Sequence, residues 1–123
     1  MTHRPLVVAH RGFSGVAPEN TLAAYRRAVE IKSDLAECDV WLSADRVPMV
    51  IHDECLMRLA GVDKRVAELT VAELKALDVG SWKGPEFTRE RIPTLEEALR
   101  FLKGKLRFAI EIKGTDMEAE VVA

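Results

Sequence analysis

Val7-Val8-Ala9-His10-Arg11-Gly12, followed shortly by Pro18-Glu19-Asn20-Thr21, decides how this chain is read. Val7-Val8-Ala9 is an apolar strand, and Gly12 and Gly15 supply the turn residues of a loop. Pro18 suits a first helical turn, where its missing N–H costs nothing. The order is therefore strand, loop, helix, with His10 and Arg11 at the carboxyl end of the strand. A titratable imidazole beside a permanently charged guanidinium is what phosphate chemistry needs there in an α/β protein. Taken alone, the dipeptide is equally compatible with a surface pair in a loop.

The same alternation continues outward. Pro18 to about Lys32 predicts a helix whose apolar stripe is Leu22, Tyr25, Ala28 and Val29. Leu35 to Trp41 is a second strand, and Val47 to Ile51 is another extended piece. Pro48 keeps that piece out of a central ladder, making it an edge or a continuation of the second strand. Residues 54–92 form an insertion with one short helix, opened by the capping box Thr70-Val71-Ala72-Glu73 and carrying Leu74 and Leu77, followed by a turn region at Gly80 to Pro85. A further capping box, Thr94-Leu95-Glu96-Glu97, opens a helix with Leu95, Leu99 and Leu102 on one side, ended at Gly104. Leu106 to Lys113 reads as a strand of the buried parallel type. Strands alternating with helices predict right-handed crossovers and a parallel sheet. Thr115-Asp116-Met117-Glu118 is one more helix start, with barely a turn of sequence after it. The expectation is the front part of a longer parallel α/β protein.

Composition bounds the function classes. With 123 residues, 48% hydrophobic, 31% charged and a net charge of −2, the chain is one globular domain at most, with a real core. The near-balance of charge argues against nucleic-acid and membrane-surface partners. No apolar run reaches the ~20 residues of a membrane span. Met1 to Leu6 leads directly into the first strand, so no signal peptide is expected. Cys38 and Cys55 read as free thiols, and the expected location is cytoplasmic.

Glu37 and Asp39 alternate with Cys38 and Val40, so the two carboxylates share one strand face. A bound cation is the simplest compensation for their repulsion, and oxygen-only donors favour Mg²⁺ or Ca²⁺ over Zn²⁺. A solvent-facing acidic stripe is the alternative. Glu111 lies in the apolar Phe108-Ala109-Ile110-Glu111-Ile112-Lys113, where a carboxylate is costly unless paired or metal-bound. If that strand neighbours the second one, Glu111 completes a three-carboxylate site; otherwise it is an ion pair with Lys113 or Arg11. Lys113 stands one step nearer the strand's end, placed to meet an anion. His52 emerges at a second strand end beside Asp53, which could orient its ring. With His10 it offers an acid and a base. Trp41, Trp82 and Phe87 read as packing residues.

With these residues assembled, the chain resembles the glycerophosphodiester phosphodiesterase family from Val7 through Lys113. The resemblance is carried by Ala9-His10-Arg11-Gly12, Pro18-Glu19-Asn20-Thr21, Glu37-x-Asp39-Val40, Ile51-His52-Asp53, Ile92-Pro93-Thr94-Leu95-Glu96-Glu97 and Ile110-Glu111-Ile112-Lys113. It implies a (β/α)₈ TIM barrel with a small insertion after the second strand, of which residues 1–123 would be the N-terminal portion: the first three βα units, insertion at about 54–92. It also implies Glu37, Asp39 and Glu111 as ligands of a divalent metal, Mg²⁺ or Ca²⁺. His10 and His52 become the acid/base pair, Arg11 and Lys113 the phosphate contacts, and Glu19 and Asn20 the residues ordering the first loop and the metal's surroundings. The implied reaction is hydrolysis of a glycerophosphodiester to glycerol 3-phosphate and an alcohol.

The sequence departs from the family at Leu35-Ala36 and at Arg46, where glycine is common, and at Met57-Arg58-Leu59-Ala60 after the second histidine. A full barrel needs ~250 residues. Three parallel strands would leave an open edge, through which the chain is expected to self-associate, and low activity is expected of the chain alone. The alternatives are a related phospholipase-type barrel, or an inactive fragment that only binds metal or assembles with a partner.

Overall fold

The structure, a computed structural model, describes residues 5–113 and 121. The helix start at Thr115 lies outside them. Strand β1 (Val8–Ala9) is followed by helix α1 (Leu22–Glu30), strand β2 (Leu35–Leu42) and strand β3 (Pro48–Val50). Helices α2 (Met57–Ala60) and α3 (Val71–Lys75) come next, with 3₁₀ turns at Val66–Glu68 and Pro85–Phe87. Helix α4 (Leu95–Leu102) and strand β4 (Arg107–Ile112) complete the order.

β2 is the centre of the sheet. β1 pairs with it in parallel through Val8↔Leu35 and Ala9↔Ala36, and β4 pairs in parallel from Leu35↔Arg107 to Val40↔Ile112. β3 is a separate antiparallel strand, Val40↔Val50 to Leu42↔Pro48, so the sheet is mixed rather than purely parallel. The Asp39 carbonyl accepts from the Ile51 N–H and the Val40 carbonyl from the Lys113 N–H. Successive carbonyls point to opposite edges, so β3 occupies the β1 side of β2, past the point where β1 stops. Pro48 thus sits in an edge hairpin, reached through a turn in which Arg46 takes φ 59°.

One face of this sheet is covered. Ala9, Ala36, Cys38, Val40 and Val50 pack with Tyr25 and Ala28 of α1 and with Leu95, Ala98 and Leu102 of α4 in a single core. Both helices lie on the same face, as in a barrel wall and unlike a doubly wound sheet, whose helices cover both sides. The other face carries Val8, Glu37, Asp39 and Glu111. A second core, built on Met49, Ile51, Leu56, Leu59, Val66, Leu74, Val79 and Ile92, holds the insertion together. β3 joins the two cores by strand alternation: Val50 enters the first, Met49 and Ile51 the second.

Several expected boundaries move. Helix α1 starts at Leu22 rather than Pro18, because Asn20 takes φ 56° and Thr21 caps the Ala24 N–H. On α4 the buried stripe is Leu95, Ala98 and Leu102, with Leu99 exposed. The insertion carries two short helices and two 3₁₀ turns instead of one helix, each piece too short to show a period in the sequence. Leu6, Val7 and Val8 are exposed, and β4 is half-exposed rather than buried.

Candidate active site

The register of β2 and β4 builds the site. Asp39 stands directly opposite Glu111, and Glu37 lies two residues earlier on the same face of β2. Directly paired residues share a sheet face, so the three carboxylates converge: one oxygen from each of Glu37, Asp39 and Glu111 lies within 4.8 Å of the others. Asp39 is the buried member, 1% exposed, whereas Glu111 is 54% exposed. Cys38, between them in sequence, points into the helix-side core, and burial raises its thiol pKa, keeping it protonated.

Cations and donors surround the cluster. Arg11 Nε lies 3.5 Å from Asp39 Oδ2, and Asn20 Nδ2 donates to the same oxygen at 3.1 Å. Lys113 Nζ donates to Glu111 Oε1 at 2.9 Å and stands 3.7 Å from Asp39 Oδ1. The Arg11 backbone N–H donates to Glu37 Oε1 at 3.2 Å, and His10 Nε2 lies 3.9 Å from that oxygen, its side chain 64% exposed. Burial, then the Asp39 charge, push the Glu37 carboxyl above its ordinary range, while the hydrogen bond from Lys113 holds Glu111 below it. The Lys113 ammonium is raised by the same bond.

The residue set fits a hard cation. All three convergent donors are carboxylate oxygens. Asp39 Oδ1 is buried without a hydrogen bond, and a buried carboxylate oxygen in that condition is costly. A cation between the carboxylates would satisfy it.

The first loop presents its side chains through two strained residues. Arg11 (φ 57°) and Asn20 (φ 56°) both adopt left-handed backbone, and the Asn20 N–H closes onto the Arg11 carbonyl at 2.8 Å. Gly12 (φ 80°) has no room for a side chain, since a Cβ would lie 2.6 Å from that of Ala24. Glu19, 8% exposed, takes Arg11 Nη1 at 3.2 Å.

His52 sits after β3, its Nδ1 2.8 Å from Asp53 Oδ1. A hydrogen bond from Arg58 is the chief reason that Asp53 falls to about 2, so at neutral pH this carboxylate only accepts. Nδ1 of His52 must then be the donor, leaving Nε2 for other work. Burial opposes ionisation of Glu19, but Arg58 and Arg11 outweigh it and hold this carboxyl below its ordinary range.

Two contributors escaped the sequence reading. The helical stripe predicts Tyr25 as core, and it is fully buried, but its hydroxyl donates to Asn20 Oδ1 at 2.7 Å and so fixes the amide that holds Asp39. A buried phenol in place of phenylalanine was the available signal, because its hydroxyl needs a partner. Arg58 lies within the divergent Met57-Arg58-Leu59-Ala60 stretch, and the sequence assigns it no role.

Asp53 yields a pH prediction. Its carboxyl is depressed when folded, to about 2, against about 3.9 unfolded. The stability it contributes is therefore full above about pH 4 and lost as pH falls through about 2. In urea titrations of the parent and Asp53→Asn, the stability gap is expected to shrink steadily from pH 5 to pH 2. A constant gap would contradict the ionised Asp53–Arg58 pairing.

The sheet thus gathers three carboxylates, an arginine and a lysine on the face opposite its helices. Residues 10–122 match the glycerophosphoryl diester phosphodiesterase family, and the chain belongs to it. The Bacillus subtilis protein YhdW is 48% identical over 108 residues, 88% of this chain and 44% of that protein. A glycerophosphodiester phosphodiesterase of Caldanaerobacter subterraneus subsp. tengcongensis is 44% identical over 111 residues, 89% of this chain and 46% of that one. An Oleispira antarctica phosphodiesterase, solved with the product sn-glycerol 3-phosphate, superposes with a TM-score of 0.89 at 42% identity, covering 96% of this chain and 49% of its own. The chain thus spans about half the length of the relatives it matches. Its fold is that of part of their TIM barrel, with β1, β2 and β4 as the parallel strands and β3 antiparallel to β2. Among the described residues no helix is long and apolar enough to cross a membrane.

Proposed function

We propose that this chain carries the catalytic constellation of a metal-dependent hydrolase that cleaves glycerophosphodiesters to glycerol 3-phosphate and an alcohol. The observation that carries the reading is the convergence of Glu37, Asp39 and Glu111 with Arg11 and Lys113 on one sheet face. Glu37, Asp39 and Glu111 would hold Mg²⁺ or Ca²⁺, which when bound supplies polarisation of the phosphoryl oxygens. Arg11 and Lys113 would bind the phosphate anion, their charges already drawn to the site by Asp39. Glu19 and Asn20 hold Arg11 and Asp39 in place.

His10 and His52 would divide the proton work. One takes a proton from the attacking oxygen; the other delivers one to the leaving alkoxide as the P–O bond breaks. His52 would act through Nε2, the nitrogen that Asp53 leaves free. The sn-glycerol 3-phosphate bound by the Oleispira relative is the product expected of this reaction and supports the same substrate class. Two free cysteines support a reducing, cytoplasmic location.

The test is release of glycerol 3-phosphate from glycerophosphocholine with Mg²⁺ or Ca²⁺ present. His10→Ala is expected to lower turnover at least ~100-fold, the usual weight of a general acid or base. Turnover that survives both His10→Ala and metal removal would refute the reading. A second reading, a binding or assembling unit without turnover, is favoured by the exposure of Leu6, Val7, Val8 and Ile112 on the open sheet. Concentration-dependent association, with no turnover at any metal level, is the result that would select it.

A further inference from the structure

His52 and Arg11 stand on different loops, yet a single residue of the insertion connects them. Arg58, on α2, donates from Nε to Asp53 Oδ2 at 2.7 Å and from Nη2 to Asp53 Oδ1 at 3.1 Å. The same guanidinium donates from Nη1 and Nη2 to Glu19 Oε1 and Oε2, at 3.0 and 2.8 Å. Both contacts are bidentate, the strongest geometry open to arginine and carboxylate. Each carboxylate passes the connection on: Asp53 Oδ1 holds His52 Nδ1, and Glu19 Oε2 holds Arg11 Nη1, whose Nε faces Asp39. The result is an alternating path of charge: His52, Asp53, Arg58, Glu19, Arg11, Asp39.

We propose that Arg58 is a positioning residue of this site, fixing Asp53, and through it the ring orientation and tautomer of His52, in register with the Glu19–Arg11 arm of the first loop. Four of the five N–H donors of Arg58 are committed to the two carboxylates, so the group is spent mainly on holding them. Its guanidinium is raised in pKa by the hydrogen bonds to Glu19 and Asp53, consistent with permanent engagement. A lysine at this position would supply the charge but could not span two carboxylates in paired fashion. The insertion therefore does more than fill space after β2: through α2 it sets which imidazole nitrogen is free to work. Carboxylates that orient an imidazole commonly need such a partner of their own.

The inference rests on reading His52 as an acid/base group, and its test needs neither substrate nor metal. Two-bond ¹H–¹⁵N spectra of the full chain, labelled with ¹⁵N and recorded where the imidazole is neutral, report which ring nitrogen carries the proton. The parent is expected to show His52 protonated at Nδ1. Arg58→Ala, folded by circular dichroism, is expected to lose that dominance and show mixed tautomers, with Arg58→Lys restoring only part of it. If Arg58→Ala does not fold, Arg58→Lys against the parent decides, an intermediate pattern supporting the role. The parent's ring pattern retained in the folded variants overturns it. Absence of turnover in the assay above would count against the reaction while leaving this result standing.

Discussion

Asp39→Asn is expected to weaken Mg²⁺ and Ca²⁺ binding on the order of 100-fold, ~2.7 kcal/mol, as read by isothermal titration. Asp39 is the buried member of the cluster and faces Arg11, Asn20 and Lys113 at once. Its Oδ1 lacks a hydrogen bond, so this oxygen gains most from a cation. The amide that replaces it has one acceptor and brings an N–H₂ group toward donors already present. Glu111→Gln makes the useful contrast. Glu111 is exposed and already held by Lys113, so its loss is expected to cost about tenfold, ~1.4 kcal/mol. Affinity for both ions within about threefold of the parent in Asp39→Asn, ~0.7 kcal/mol, would remove the case for a cation at this cluster.

Tyr25→Ala is expected to destabilise the chain by about 3–5 kcal/mol, the range for deleting a buried aromatic ring. Tyr25 is fully buried, and its ring meets Phe108 edge-on with centroids 5.1 Å apart, so truncation opens a cavity between α1 and β4. Small domains have only about 5–15 kcal/mol in total, and the variant should unfold at far lower urea. Tyr25→Phe keeps the ring and loses only the hydroxyl. It is expected to cost about 1–3 kcal/mol, the penalty for leaving the buried Asn20 oxygen without its donor. The decisive measurement is the pair of urea midpoints. A Tyr25→Ala midpoint no lower than that of Tyr25→Phe would mean that the ring packing matters little.

Much of this is legible in the sequence. Strand alternation places Glu37 and Asp39 on one face; Glu111 joins them in the sequence only on condition that its strand neighbours β2, and the structure meets that condition by setting Glu111 opposite Asp39. The capping box Thr94-Leu95-Glu96-Glu97 marked the start of α4, where both reciprocal bonds form. What escaped depends on contacts distant in sequence. The Arg58–Glu19 pair joins α2 to the first loop across 39 residues of sequence, and no local pattern encodes it. Likewise Asn20 interrupts what reads as continuous helix from Pro18, because its left-handed backbone answers to Arg11 and Asp39 rather than to local propensity. The exposed Val7 and Val8 were misjudged for a related reason: apolarity predicts what a residue would pack against, not whether that neighbour is in place.

The left-handed pair Arg11 and Asn20 bears on how such a loop ages. Asparagine tolerates that backbone, but arginine gives up on the order of 1 kcal/mol to hold it. Glycine at position 11 would relieve that strain but would take the guanidinium away from Asp39 and Glu19, both nearly buried. Drift of this position to glycine is therefore expected only in a descendant that has already given up those carboxylates.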